Sequence, residues 1–296
     1  MSIFDALVQG VIQGLTEFLP VSSSGHLSLW QHFSGESGEA AGIYSILLHL
    51  GTLLAVFIAF RKEIAAMCRE LCGMCKEIFS GHIDKTCALP ARRRIFLLII
   101  SLLPLCGFYF LTDFYTALAA DSDIVAEGIC FLLTAVLLIV SSRCVKVGGR
   151  TAENMTWKDA FAMGVMQGIA PLPGLSRSGS TISVGLIMGV EREEAVAFSF
   201  IMGIPAVLGA NLLELPRVIS GTVEINPAAA AAGMAAALFV GLAAIKTVKI
   251  LVKNDRFTYF AWYRAHRRGH HPGGGQGGIY AAETAAAAFF LNLPGV

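Results

Sequence analysis

Five stretches of the chain, 42–60, 95–112, 124–142, 195–215 and 227–252, are apolar and long enough, or nearly so, to cross about 30 Å of hydrocarbon as helices. Two more, 3–30 and 159–190, are equally apolar at their ends but are broken midway by clusters of Pro, Gly and Ser. Such breaks forbid a straight crossing, because non-helical backbone at membrane depth is tolerated only when buried in protein or lining a polar cavity. Both segments are therefore predicted to be re-entrant helical hairpins with their polar residues at the tips.

A shift of 154 residues lays the first broken segment over the second. Asp5 then meets Asp159, Ala6 meets Ala160, Gly10 meets Gly164, Val11 meets Val165, Gln13 meets Gln167, Gly14 meets Gly168, Ser22 meets Ser176, Ser24 meets Ser178 and Gly25 meets Gly179. The first span falls over the fourth under the same shift. Each half is thus one hairpin plus three spans, and an odd number of crossings inverts one half relative to the other. The expected fold is an all-α polytopic membrane protein with an inverted-topology repeat, five to six transmembrane helices and two opposed re-entrant hairpins. One membrane domain is predicted over 1–264, its halves at about 1–142 and 159–264. Gly10 with Gly14, and Gly164 with Gly168, make small-xxx-small faces that let helix backbones approach closely.

Composition supports a membrane location: of 296 residues 55% are hydrophobic and 15% charged, against about 25% charged in an average soluble domain. A formal net charge of +1 gives no basis for nucleic-acid binding. The placement of charge is more informative. Segment 61–94 carries eight Lys and Arg, 143–158 carries four and 246–268 carries seven, whereas 113–123 carries none. The first three should face the cytoplasm, which makes the hairpins enter from opposite leaflets and point at each other. The first 30 residues lack a basic start, so no cleavable signal is expected. The seven Cys read as free thiols in a reducing compartment, the CxxC of Cys72 and Cys75 with His82 nearby lacking the second pair a metal site needs.

The tips carry the chemistry. The first offers Gln13 and Glu17 on one helical face, then Ser22, Ser23, Ser24 and His26; the second offers Pro173, Gly174, Ser176, Arg177, Ser178, Ser180 and Thr181. Hydroxyls interleaved with Gly turn donors inward as an anion nest, and Arg presents a fork matched to phosphate oxygens. Ionised groups in apolar segments are functional candidates because they cost on the order of 3 kcal/mol to insert. Glu17 and Arg177 can alternatively be a structural ion pair joining the halves. His26 shares a loop with candidate nucleophiles, while His49, inside the first clean span, reads as an ordinary hydrogen-bonded packing residue.

QGLTEFLPVSSSGH (13–26) and PGLSRSGST (173–181) resemble the two signature motifs of the undecaprenyl-diphosphatase family, the bacitracin-resistance membrane phosphatases. The resemblance extends over about residues 1–264, including HLGT at 49–52 and FTYFAWYR at 257–264. It implies cleavage of undecaprenyl diphosphate to the monophosphate in the bacterial inner membrane, recycling the lipid carrier for cell-wall synthesis. It also implies a homodimer and a divalent cation, Mg²⁺ or Ca²⁺. Carried over by position, Glu17 and His26 are catalytic with Ser23 the nucleophile, and Ser176, Arg177 and Thr181 hold the diphosphate; from the residues themselves Arg177 is also read as catalytic, Ser22, Ser24 and Ser178 as substrate-binding, and Glu17 with Gln13 as the metal site. Gln13 stands where Glu also occurs in the family, which removes one carboxylate. After Arg264 the family runs into a last apolar span, but here a Gly-rich, charged stretch intervenes and 265–296 reads as an atypical tail. The competing reading is a polyprenyl-phosphate flippase, since inverted repeats of broken helices also build secondary transporters.

Overall fold

The computed structural model describes residues 1–34, 39–80, 90–111, 125–144, 148–172, 174–219 and 225–254. Among these are ten helices and no strand: α1 (Ile3–Phe18), α2 (Ser23–Ser34), α3 (Glu39–Ala59), α4 (Arg61–Ser80), α5 (Pro90–Tyr109), α6 (Val125–Cys144), α7 (Trp157–Ile169), α8 (Arg177–Met188), α9 (Arg192–Ile219) and α10 (Pro227–Lys253). Each of the five predicted spans is a single helix, α3, α5, α6, α9 and α10. By length and composition Gly42–Ala59 and Pro227–Lys253 are apolar enough to cross a membrane, and Ile129–Cys144 is a shorter apolar helix. Both broken segments are pairs of short helices, α1 with α2 and α7 with α8, separated where the Pro, Gly and Ser clusters lie.

Segment 61–80, read from its charge as loop, is a helix. Ile64, Met67, Leu71, Met74 and Ile78 recur at helical spacing and make α4 amphipathic, a pattern its basic residues obscured. Arg92 of α5 ties it down, its Nε 2.5 Å from Glu70 and its Nη2 2.7 Å from Glu77. Cys68, Cys72, Cys75, Cys106 and Cys144 are free thiols. His82, Cys87, the 113–123 loop, Pro173, the FTYFAWYR stretch, the sixth span and the tail lie outside the described residues.

Small residues decide how the helices pack. α1 starts at Ser2, whose side chain accepts from Asp5 N, and buries Ala6, Gln9, Gly10, Gln13 and Gly14 as one face. That face presses on the Ala-rich α10, which starts at Asn226 with Pro227 in its first turn. A Cβ on Gly10 would strike the Gly233 carbonyl, and one on Gly14 would lie 2.9 Å from Ala237 O. α3 meets the same helix, with a Cβ on Gly51 projected 2.6 Å from Met234 O. α7 is held by a capping box between Thr156 and Asp159, and Arg150 grips both Asp159 and the Met188 carbonyl. Its Gly164 lies against the Ser101 backbone of α5 as Gly10 lies against α10. By chain order α5 and α10 are the second predicted span after each broken pair. Each broken pair therefore packs its first helix on a helix of the opposite half, which brings the two tips together at the centre.

Candidate active site

Each tip is built from a helix that ends early and another that begins within a few residues. α1 stops at Leu19, Pro20 follows, and Ser22 adopts a left-handed φ of 69°, a conformation costly for any residue with a Cβ. This turn delivers Ser23 to the first position of α2. In the second tip Ser176 caps α8, its Oγ accepting from Gly179 N at 3.2 Å, and Gly189 closes the helix at φ 90°. The tips touch directly: Ser178 Oγ donates to Leu19 O at 3.4 Å, and a Cβ on Gly179 would meet Pro20. Two helix N-termini, of α2 and α8, thus converge with their positive ends, an arrangement that favours anions.

Glu17 is the focus. Its Oε1 receives Arg177 Nη2 at 2.5 Å; its Oε2 receives Ser23 Oγ at 2.8 Å and Gln13 Nε2 at 3.1 Å. Under the 154-residue shift Ser23 and Arg177 occupy the same position of the two halves, so equivalent positions reach one carboxylate from opposite sides. The hydroxyl pairs follow the same register, Ser22 with Ser24 at 3.4 Å and Ser176 with Ser178 at 3.4 Å. Arg177 Nη1 is buried without a hydrogen-bond partner, leaving a donor for a ligand. Gly203 of α9 makes room for that guanidinium, because a Cβ there would collide with Nη1.

A cavity of about 510 Å³ adjoins these groups. Polar side chains line it, Glu17, Ser22, Ser23, Ser24, Ser176 and Arg177 with Thr16, Ser45, Gln167 and Asn211, together with apolar ones, Leu105, Ala170, Pro171, Ala206 and Val207. The structure therefore gathers Glu17, Ser22, Ser23, Ser24, Ser176 and Arg177 as the sequence predicted. Ser178 and Thr181 are buried in the packing and do not line the cavity; Thr181 Oγ1 bonds Arg177 O and Ser199 Oγ, each at 2.7 Å, and so steadies the turn that carries Arg177. His26 also lies outside the lining, its Nδ1 donating to Ser22 O at 2.8 Å.

His49, read from the sequence as packing, lies at the site. It lines the cavity, its Nδ1 donates to Ser45 O at 2.7 Å, and its Nε2 lies 3.8 Å from Glu17 Oε2. The signal that could have found it was the repeat itself, for His49 falls over Gly203, the residue that shapes space for Arg177. Ser45, Gln167 and Asn211 were not singled out as site residues either.

For a cation the donors are sparse. Among the described residues no group of three or more His, Cys, Asp and Glu could hold a metal ion. Glu17 is the carboxylate present, and the buried Oε1 atoms of Gln13 and Gln167 lack hydrogen-bond partners. Such a set fits a hard ion that keeps several waters and shares substrate phosphates.

The family described as Bacitracin resistance protein BacA matches residues 6–266. An undecaprenyl-diphosphatase of Alkaliphilus metalliredigens is 37% identical over 266 residues, covering 89% of this chain and 95% of the relative. One of Syntrophotalea carbinolica is 40% identical over 268 residues, with 89% and 95% covered, and one of Carboxydothermus hydrogenoformans is 37% identical over 268 residues, with 89% and 94% covered. None of these relatives bears a transporter's name.

Proposed function

Because the chain belongs to the bacitracin resistance protein BacA family, we propose that it hydrolyses undecaprenyl diphosphate to undecaprenyl phosphate and inorganic phosphate, returning the lipid carrier to cell-wall synthesis and conferring bacitracin resistance. The observation that carries the reading is the convergence of Ser23 and Arg177 on Glu17 beside a cavity lined by both polar and apolar side chains. A diphosphate on a hydrocarbon chain has the same mixed character.

In the mechanism that fits this arrangement, Ser23 Oγ attacks the terminal phosphorus as its proton passes to Glu17 Oε2, already 2.8 Å away. The bond to the bridging oxygen breaks and undecaprenyl phosphate departs with that oxygen. Water then attacks the phosphoserine, giving phosphate and restoring the hydroxyl. Arg177 turns Nη1, its unpartnered donor, to the oxygens where charge grows, and the α2 and α8 N-termini add fixed positive potential. His49, beside Glu17, is placed to exchange a proton with that carboxyl; His26 supports the Ser22 turn. A divalent cation, Mg²⁺ or Ca²⁺, would be held by Glu17 and Gln13 and would neutralise charge on the diphosphate.

The chain is placed as a multi-pass protein of the bacterial inner membrane, its basic loops inside and its two tips entering from opposite leaflets as an inverted repeat. Support comes from the loop charges, the sequence repeat and the exchange of first helices between halves. The homodimer rests on family resemblance. The deciding experiment is phosphate release from undecaprenyl diphosphate by purified protein in detergent, with and without chelator. Release that chelator suppresses is expected; no release with added Mg²⁺ or Ca²⁺ sinks the proposal.

A further inference from the structure

The seam between α5 and α9 differs sharply from its counterpart by chain order, the seam between α3 and α10. The latter is closed: Gly51 brings α3 onto the Met234 backbone, and Gly241 receives Phe18 and lies near Ala55. α5 and α9 scarcely touch. Both line the cavity with apolar side chains, Leu105 from α5 and Ala206 and Val207 from α9. Leu105 and Ala206 directly follow helix-internal prolines, Pro104 in α5 and Pro205 in α9, and Val207 comes one residue later. A proline inside a helix removes a backbone hydrogen bond and bends or loosens it, which keeps two helices from closing on one another along their length. Leu105, Ala206 and Val207 offer no hydrogen-bonding side chain, so the wall suits hydrocarbon and nothing charged.

We propose that the substrate's prenyl chain leaves the phosphate site through the α5–α9 seam, and that Leu105, Ala206 and Val207 are the residues that set tolerance for long chains. The occupant is fixed by continuity, since Glu17 and Arg177 line the same cavity. This rests on the diphosphatase reading above.

The test compares undecaprenyl with geranyl diphosphate in mixed micelles, reading the ratio of kcat/KM for the two. Ala206→Trp and Val207→Trp should lower that ratio about tenfold or more, the scale on which hydrophobic pockets discriminate chain length. Leu54→Trp, on an exposed face of α3 away from the cavity, should leave it unchanged. An equal loss on both substrates, or no loss on either, overturns the assignment. As a measurement independent of variant folding, a prenyl diphosphate bearing a benzophenone on its chain is irradiated with the unaltered protein. Adducts are expected on peptides of α5 and α9; adducts confined to α3 and α10 overturn the seam. Absence of phosphate release from either substrate by the unaltered protein counts against the diphosphatase reading, while the adduct positions still judge the seam.

Discussion

The two tips share a register but not a chemistry. At one position the first has Ser23 and the second Arg177; at another the first has Glu17 and the second Pro171. Both tips keep the paired hydroxyls and a helix that begins at the break. Repetition thus supplies placement, bringing equivalent positions to one point from two sides, while divergence supplies different groups: a carboxylate with a hydroxyl on one side, a guanidinium on the other. Neither tip alone holds both the carboxylate and the guanidinium.

If that division is right, removing the second tip's cation should have the largest effect. Arg177→Ala should lower turnover on the order of 10³-fold, the scale of losing a preorganised donor to a developing anion, while the protein still extracts from membranes as a folded species. Near-normal phosphate release would show that the second tip only braces the first. Glu17→Gln should follow, with kcat down on the order of 10²-fold at saturating cation, as for loss of a general base; an unchanged rate would take the carboxylate out of the reaction.

The scaffold predictions are smaller. Gly10→Val and Gly164→Val should each destabilise by about 1–3 kcal/mol by overpacking, read as a lowered midpoint of thermal unfolding in detergent, because each glycine faces backbone of the opposite half. If only one mattered, the two halves would not be clasped in the same way. The smallest contrast lies at Ser22 and Ser176, equivalent in sequence but different in backbone. Ser176→Ala removes the α8 cap and should cost about 1 kcal/mol. Ser22→Gly removes the strain of a positive φ, worth on the order of 1 kcal/mol, and should leave stability level or raised. Loss of stability at Ser22→Gly equal to that at Ser176→Ala would mean the hydroxyl, not the turn, matters there.

Much of this was legible from residue order. Apolar runs interrupted by Pro, Gly and Ser marked the long helices and the breaks, and the small-xxx-small spacing of Gly10 with Gly14 and of Gly164 with Gly168 foretold close packing there. What escaped depends on direction. Charge concealed the amphipathic period of α4. Ser178 and Thr181 belong to the right motif, yet the helical phase of α8 turns them inward, where Thr181 bonds the Arg177 carbonyl. His49 is invisible as a site residue until α3 is laid beside α1, since nothing within its own segment reveals that Glu17 stands 3.8 Å away.

The bare backbone at Gly203 sets a limit on how alike the two halves can become. Its partner under the repeat is His49. A protein assembled from two copies of the first half would put an imidazole into the volume that the guanidinium occupies, and serine in place of the guanidinium itself. Such a perfectly symmetric ancestor or design could reproduce the crossing of the chains, yet it would have neither the cation nor the space to hold one.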